Sequence, residues 1–398
     1  MPDYRYLIIG GGMTADAAAR GIRERDISGS IGIIGGESDP PYSRPPLTKG
    51  LWKGDAFDSV WRKTREVNVD LHVGRTVTKI DPDARRVTDD QGTAHGYEKL
   101  LLATGATPRR LAGDEGGGGD DVIYFRTLAD YRRLHAVVDG KPSAVVIGGG
   151  FIGSEIAAAL AMNGCKVTML FPEAGIGARV FPADLAGHLV GYYREHNVTV
   201  RPGEEVAVIE TGGNGRIVVT KSGSRFPAEV IVAGLGVTPN VELARSIGIT
   251  IDNGIVVDQH LGTSRPGIWA AGDVASFDSP QLGKRMRVEH EDNALIMGGA
   301  AGRAMAGDTT PYTHLPFFYS DLFDLGYEAV GDTDPRLETF ADWTTPFQSG
   351  VVYYLAKQRV RGVVLWGIFG KVDAARALIA DPAPVTAQSL RGRIVAEE

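Results

Sequence analysis

The chain of 398 residues carries 42 Lys and Arg against 49 Asp and Glu, a net charge of −7, with 43% hydrophobic residues. That is enough chain for roughly 2.7 domains with cores of their own, and its mild acidity speaks against a surface that coats nucleic acid. One cysteine, Cys165, excludes an intramolecular disulfide, a CxxC redox pair and a cysteine-built zinc or iron–sulfur centre.

The first strand is expected at once, over residues 6–9, with no charged leader or cleavage site before it. It runs into Gly10-Gly11-Gly12-Met13-Thr14-Ala15, followed by an alanine-rich helical pattern over 16–25 and a second strand over 30–34. Strand, glycine turn, helix, strand is the order of a parallel βαβ unit with a right-handed crossover. A further strand leads into Thr104-Gly105, and the glycine run at 116–119 reads as a flexible surface loop. The opening pattern then recurs: a strand over 143–147, the turn Gly148-Gly149-Gly150-Phe151-Ile152-Gly153, a helix over 154–163 and a strand over 166–170. The phrase 229–240, containing Gly236, repeats the strand–Gly–Pro phrase of 99–108. A third strand ends in Ala270-Ala271-Gly272-Asp273, and a helix is expected over 292–305. After about residue 307 the pattern changes to antiparallel strands over 327–330, 337–343, 350–356 and 360–368, then a helix over 371–379. Apolar runs such as 363–366 are far too short to span a bilayer. With the single thiol, a reducing, cytoplasmic setting is the expectation.

Gly148-x-Gly150-x-x-Gly153 is a dinucleotide fingerprint. Its first glycine makes the turn, its second lets the backbone reach a pyrophosphate, and its third lets helix pack close to strand. The phosphate then meets the helix N-terminus, whose free N–H groups favour an anion. Glu173, at the end of the next strand, can accept ribose hydroxyls and would repel a 2′-phosphate, so NADH is expected over NADPH. Gly10-x-Gly12-x-x-Ala15 is the alanine-ended form, with Glu37 in the matching place. Two such sites imply two dinucleotides, with FAD in the first and NAD(P)H in the second, since hydride must pass between them. Asp273 at a strand end can hold ribitol hydroxyls while Gly272 admits the chain. The bland alternative is a loop Asp capping a helix.

Arg44-Pro45-Pro46-Leu47-Thr48-Lys49, Gly148 to Glu155, Leu170-Phe171-Pro172-Glu173 and Arg287-Val288-Glu289-His290 carry a family likeness. So do Ser320-Asp321-Leu322 with Gly326-Tyr327-Glu328, and Gly362-Val363-Val364-Leu365-Trp366. The chain resembles the two-dinucleotide FAD/NAD(P)H reductases, the ferredoxin-reductase-like proteins, and within them the apoptosis-inducing-factor-like flavoproteins. The resemblance implies that Lys49 and Glu155 pair beside the flavin, that Phe151 covers its face, and that Glu289 and His290 lie at the inner end of the nicotinamide pocket. Lys49, Glu155, Phe151 and His290 are thus the expected catalytic set. The expected FAD set is Gly10, Gly12, Ala15, Glu37, Arg44, Lys49, Thr104, Gly105, Gly272, Asp273, Glu289, His290 and Tyr319. The expected NAD set is Gly148, Gly150, Phe151, Ile152, Gly153, Glu155, Glu173 and Gly236. No metal is expected.

The fold class is α/β: two Rossmann-like dinucleotide-binding domains plus a small C-terminal α+β domain. Residues 1–126 and 237–312 are expected to bind FAD, 127–236 to bind NAD(H), and 313–398 to form the C-terminal domain. Compared with the animal members, Tyr319 replaces a tryptophan, the stretch 344–349 is short where they carry a long insertion, and a cell-death role is unsupported. The loop at 42–44 reads Tyr-Ser-Arg where peroxide and CoA-disulfide relatives keep a reactive cysteine, and Cys165 reads as a buried hydrophobe. Electrons are therefore expected to leave the flavin directly for an external acceptor, whether a ferredoxin or rubredoxin of an oxygenase chain, a quinone or oxygen. The alternative is a slow NADH-sensing binding protein with a stable charge-transfer complex. No nucleic-acid partner is expected, and a homodimer is left open.

Overall fold

The structure, a computed structural model, describes residues 3–112, 114, 122–212 and 215–395. The glycine run at 116–119 lies outside the described residues. The chain divides into two compact units. The first comprises Met1–Arg44, Ala56–Thr107 and Thr238–Pro316; the second comprises Pro45–Asp55, Pro108–Val237 and Phe317–Glu398.

Each unit holds one copy of the duplicated pattern. In the first, β1 (Asp3–Ile9), α1 (Met13–Arg23) and β2 (Ile31–Gly35) form a βαβ unit with Tyr6 opposite Ile31 and Ile9 opposite Ile34. In the second, β3 (Ser143–Ile147), α2 (Phe151–Met162) and β4 (Lys166–Phe171) do the same, with Val145 opposite Thr168. Both helices begin three residues earlier than the alanine-rich stretches suggested, because Gly12 and Gly150 are the N-cap residues. The last three fingerprint residues therefore lie inside the first helical turn, where backbone N–H groups have no intrahelical acceptor.

Among the described residues, the main sheet of the first unit runs in the order Asp70–Val73, β2, β1, Ala94–Leu102, Arg86–Asp89, Val77–Asp81. The strand Ile268–Ala270 also pairs in parallel with Ala94–Leu102. Leu7, Ile8, Ile33, Leu100 and Leu101 are fully buried, as parallel strands covered on both faces require. Helix α3 (Glu291–Met305) packs on α1. The approach is backbone to backbone: a Cβ added at Gly302 would lie 2.0 Å from the Ala18 carbonyl oxygen, and one at Gly298 2.6 Å from that of Thr14.

The parallel sheet of the second unit runs Thr199–Pro202, β4, β3, Val230–Ala233, Ile123–Tyr124. A separate antiparallel sheet near the C-terminus runs Phe317–Leu322, Leu325–Gly331, Arg359–Trp366, Ser349–Ala356, Glu338–Thr345, with the helix Val372–Ala380 against it. Tyr327 stacks on Trp366 with ring centroids 5.5 Å apart, and Trp366 Nε1 donates to the Phe347 carbonyl at 2.8 Å. The strand Phe317–Leu322 had no sequence expectation, since Phe-Phe-Tyr-Ser-Asp-Leu does not alternate polar with apolar. The chain is thus a mixed α/β protein with a C-terminal sheet. Among the described residues no helix is long and apolar enough to cross a membrane.

Two glycines on helices separate packing from propensity. Gly302→Ala forces a methyl into the Ala18 carbonyl and is expected to cost about 1–3 kcal/mol. Gly187, in the exposed part of the helix Ala183–Glu195, has nothing within 4 Å of an added Cβ. Gly187→Ala is therefore expected to gain up to roughly 1 kcal/mol. Thermal unfolding midpoints of the two variants should move in opposite directions.

Candidate functional site

In the first unit β1 ends at Gly10, whose φ is +123°. A Cβ there would lie 2.0 Å from the Ala103 carbonyl oxygen, at the end of the neighbouring strand, so only glycine lets the turn sit this close. Ala15, in the first turn of α1, is completely buried. Over Gly12 the space is open: an added Cβ would have only Arg44 Nη2 within reach, at 4.0 Å. The N-terminus of α1 and a guanidinium thus border one accessible stretch of backbone. That donor set fits a pyrophosphate.

Charged groups gather around this turn. Tyr42 Oη and Arg44 Nη2 donate to the two carboxylate oxygens of Glu37, and Arg44 Nη1 reaches Tyr42 Oη at 2.9 Å. Burial opposes the charge of Arg44, yet Tyr42, Glu37 and Asp273 hold its pKa above the ordinary value. Glu37 keeps spare lone pairs, since a carboxylate has about four acceptor positions. Gly272 (φ +79°) sets the turn carrying Asp273 against Thr14, whose Oγ1 would lie 2.3 Å from an added Cβ. Arg287, nearly buried, donates to the Asp273 carbonyl at 3.0 Å and pairs with the exposed Glu289 at 2.5 Å. Asn240 staples the Thr104–Gly105 turn: its Nδ2 donates to the Thr104 carbonyl at 2.8 Å and its backbone N–H to the Gly105 carbonyl at 3.0 Å. His290 is the N-cap of α3. Desolvation lowers its pKa to about 4, against the pull of Asp273 and Asp292, so the ring is neutral near pH 7.

In the second unit Gly148 (φ +120°) meets the Gly234 carbonyl, which a Cβ would approach to 2.3 Å. A Cβ at Gly153 would lie 2.0 Å from the Gly148 carbonyl, so the helix starts against its own turn. Over Gly150 nothing lies within 4 Å, which again leaves the backbone approachable. Gly236 (φ +82°) is equally open and accepts the Arg109 backbone N–H at 2.9 Å. Ile152 is half-buried in the first turn of α2. Past the end of β4, Glu173 takes Arg179 Nε at 2.8 Å and Nη2 at 2.6 Å. Both bonds fall on Oε1, and Oε2 faces no donor from Arg179.

A second cluster in this unit centres on Glu155, in α2 and 3% exposed. Lys49 Nζ donates to Glu155 Oε1 at 2.8 Å, Ser320 Oγ to the same oxygen at 2.6 Å, and Thr48 Oγ1 to Oε2 at 2.5 Å. The Tyr319 ring lies 5.1 Å from Lys49 Nζ, a cation–π contact. Phe151, partly exposed, meets Phe318 edge-on at 5.0 Å. The expected pairing of Lys49 with Glu155 is therefore present. Sequence reasoning missed Ser320 and Thr48 as its partners, and Gly234 and Asn240 as braces of the two turns. The second strand–Gly–Pro phrase contained both braces. Cys165 is buried, and burial raises its thiol pKa, which disfavours the reactive thiolate.

Comparison with known proteins adds to this geometry. Residues 4–298 match the family model described as pyridine nucleotide-disulphide oxidoreductase. Residues 301–347 and 341–381 match that of apoptosis-inducing factor, mitochondrion-associated, C-term. The chain is 36% identical over 417 residues to apoptosis-inducing factor 1, mitochondrial, of Dictyostelium discoideum, covering 94% of this chain and 78% of that protein. It is 35% identical over 335 residues to the ferredoxin–NAD(+) reductase component of the anthranilate 1,2-dioxygenase system of Burkholderia cepacia, covering 82% and 81%. Its fold matches the crystal structure of the covalent putidaredoxin reductase–putidaredoxin complex with a TM-score of 0.91 at 31% identity, covering 98% and 96%.

The depressed pKa of His290 has a consequence for stability. The unfolded ring takes a proton near pH 6.5 and the folded ring only near pH 4. Between these values the unfolded state binds more protons, so stability falls as pH drops through the window. His290→Gln is expected to flatten this part of the profile of unfolding midpoint against pH. An unchanged slope in the variant would contradict the assignment.

Proposed function

The chain belongs to the pyridine nucleotide-disulphide oxidoreductase family, and we propose that within it the protein is an NADH:acceptor reductase with FAD on its first fingerprint and NADH on its second. It is an NAD(P)H-dependent flavoprotein oxidoreductase of the apoptosis-inducing-factor-like and ferredoxin-reductase-like kind. The observation that carries the finer reading is the pair of glycine turns. Each is closed on one side by a backbone carbonyl and open over its middle glycine, Gly12 or Gly150.

FAD, when bound, supplies a ring that accepts hydride from NADH and yields electrons to a further acceptor. In this reading the N–H groups of α1 and the Arg44 guanidinium take the FAD pyrophosphate. Glu37 accepts ribose hydroxyls, Asp273 accepts ribitol hydroxyls, and Gly10, Ala15, Thr104, Gly105 and Gly272 shape the backbone around them. The N–H groups of α2 take the NADH pyrophosphate, Gly148, Gly153, Ile152 and Gly236 shape its bed, and Glu173 Oε2 accepts the ribose. We assign Lys49, held by Glu155, the role of offering positive charge to flavin reduction. Phe151 and Tyr319 act as aromatic covers, and neutral His290 with Glu289 serves the nicotinamide end. The first fingerprint region (1–126 and 237–312), the second (127–236) and the C-terminal region (313–398) are the proposed FAD, NAD(H) and accessory domains. A cytoplasmic setting belongs to the same proposal and rests on the single buried thiol.

The proposed acceptor is a one-electron carrier of ferredoxin type, a reading supported by the reductase relatives of dioxygenase and putidaredoxin systems. A second reading, a slow NADH sensor, is favoured by the C-terminal match over 301–381. An anaerobic NADH titration followed by visible absorbance tests both. Rapid bleaching of a yellow protein, with turnover when a ferredoxin is added, supports the reductase. Slow bleaching into a persistent long-wavelength band supports the sensor, and a colourless protein overturns both.

Coenzyme choice is tested at Glu173. The wild type should use NADH in preference to NADPH. Glu173→Ala should narrow the ratio of kcat/KM values by about tenfold, the factor carried by roughly 1.4 kcal/mol. Equal efficiency of the wild type with both coenzymes would remove the preference.

A further inference from the structure

Glu155 is held by more donors than an ion pair needs. Its carboxylate is nearly inaccessible, and Lys49 is 12% exposed on its side chain. A buried pair of this kind recovers the loss of hydration only when further hydrogen bonds satisfy the remaining lone pairs. The chain supplies two hydroxyls for this, from segments 107 and 165 residues away in sequence. Thr48 is adjacent to Lys49, between the short helical turns Pro45–Leu47 and Gly50–Trp52. Ser320 is adjacent to Tyr319, on the strand Phe317–Leu322. The same two segments thus deliver the lysine of the pair, the ring against its ammonium and both hydroxyls on the carboxylate. The buried phenols of Tyr193 and Tyr327 sit nearby. Burial, and then the charge of Glu155, hold both well above the ordinary tyrosine pKa, so they stay neutral.

We propose that Thr48 and Ser320 are positioning residues of the Lys49–Glu155 pair, their hydroxyls holding the two carboxylate oxygens in the one orientation that pins the Lys49 ammonium. A carboxylate held at both oxygens cannot rotate about its terminal torsion, which is otherwise soft. Losing the Thr48 hydroxyl takes its donor from Oε2 and frees that rotation, and losing the Ser320 hydroxyl leaves Oε1 held by Lys49 alone. The consequence for flavin reduction rests on the function proposed above; the positioning itself does not.

The experiment uses the full-length protein as purified and reads two quantities. The first is the rate at which acetic anhydride modifies Lys49, measured by peptide mass spectrometry. It is taken as a ratio to Lys99, a half-buried lysine of the first unit whose ammonium donates to the Met305 carbonyl. The second is the rate of flavin bleaching by NADH without oxygen. Thr48→Val and Ser320→Ala are each expected to raise the Lys49 ratio and slow bleaching by about tenfold, the effect of losing a hydrogen bond to a charged group. Thr48→Ser, which keeps the hydroxyl, should behave as the wild type. An unchanged Lys49 ratio in both hydroxyl-deleted variants overturns the proposal. So does an equal rise at Lys49 and Lys99, which would mean general loosening. A raised ratio with unchanged bleaching upholds the positioning role and overturns the assignment of Lys49–Glu155 to flavin reduction.

Discussion

At the head of each glycine turn a backbone carbonyl stands where a side chain would have to go. Ala103 fills that place for Gly10 and Gly234 for Gly148, at 2.0 and 2.3 Å from an imagined Cβ. The contact brings the end of the first strand of each copy against its neighbour, and it directs the following helix up from the strand ends. The helix N-terminus then lies where the sheet's carboxyl ends open, which is where α/β folds bind ligands. In the first unit the constraint reaches further. Thr14, Ala18 and their neighbours on α1 meet glycines of α3, so the two helices approach nearer than side chains would allow.

Each fingerprint helix also carries a buried carboxylate just past the turn, and the two have been put to different uses. Asp16 on α1 is completely buried and accepts from Arg20 at 3.0 Å, Arg62 at 2.7 Å and Thr64 at 2.7 Å. Its donors draw the segment around residues 62–64 onto the helix, and its role is structural. Glu155 on α2 accepts from Lys49, Thr48 and Ser320. It stands seven residues past the first glycine of its turn, Asp16 six, so the two project about 100° apart around otherwise similar helices. Breaking either network would leave a charge buried without its partner, a loss of about 3–5 kcal/mol. A one-residue offset thus separates a carboxylate that fastens a loop from one that holds a lysine.

The electrostatics around the first turn divide labour in a comparable way. Arg44 keeps the charge that a guanidinium always carries, and Tyr42, Glu37 and Asp273 favour that charge against its burial. His290 is neutral because nothing nearby outweighs its burial. A fixed cation suits an anionic ligand, and a neutral imidazole can donate or accept a hydrogen bond without bringing a second charge into the site.

The sequence by itself determined the duplicated βαβ pattern, both fingerprints, the trailing acids Glu37 and Glu173, and four of the five strands of the C-terminal sheet. All of these are local: a glycine turn, an alanine-rich helix or an alternating strand shows itself within ten or fifteen residues. Family likeness added the Lys49–Glu155 pairing, which no spacing contains. Only the tertiary structure decided that Pro45–Asp55 packs with the second unit while the chain on either side of it belongs to the first. It alone revealed the strand Phe317–Leu322, and placed Ser320 and Thr48 on Glu155 and Asn240 across the Thr104–Gly105 turn. The physical reason is distance along the chain. A buried carboxylate takes its donors from whichever segments the fold brings within 3 Å, and no periodicity links residues 48, 155 and 320 until the sheets and helices have packed.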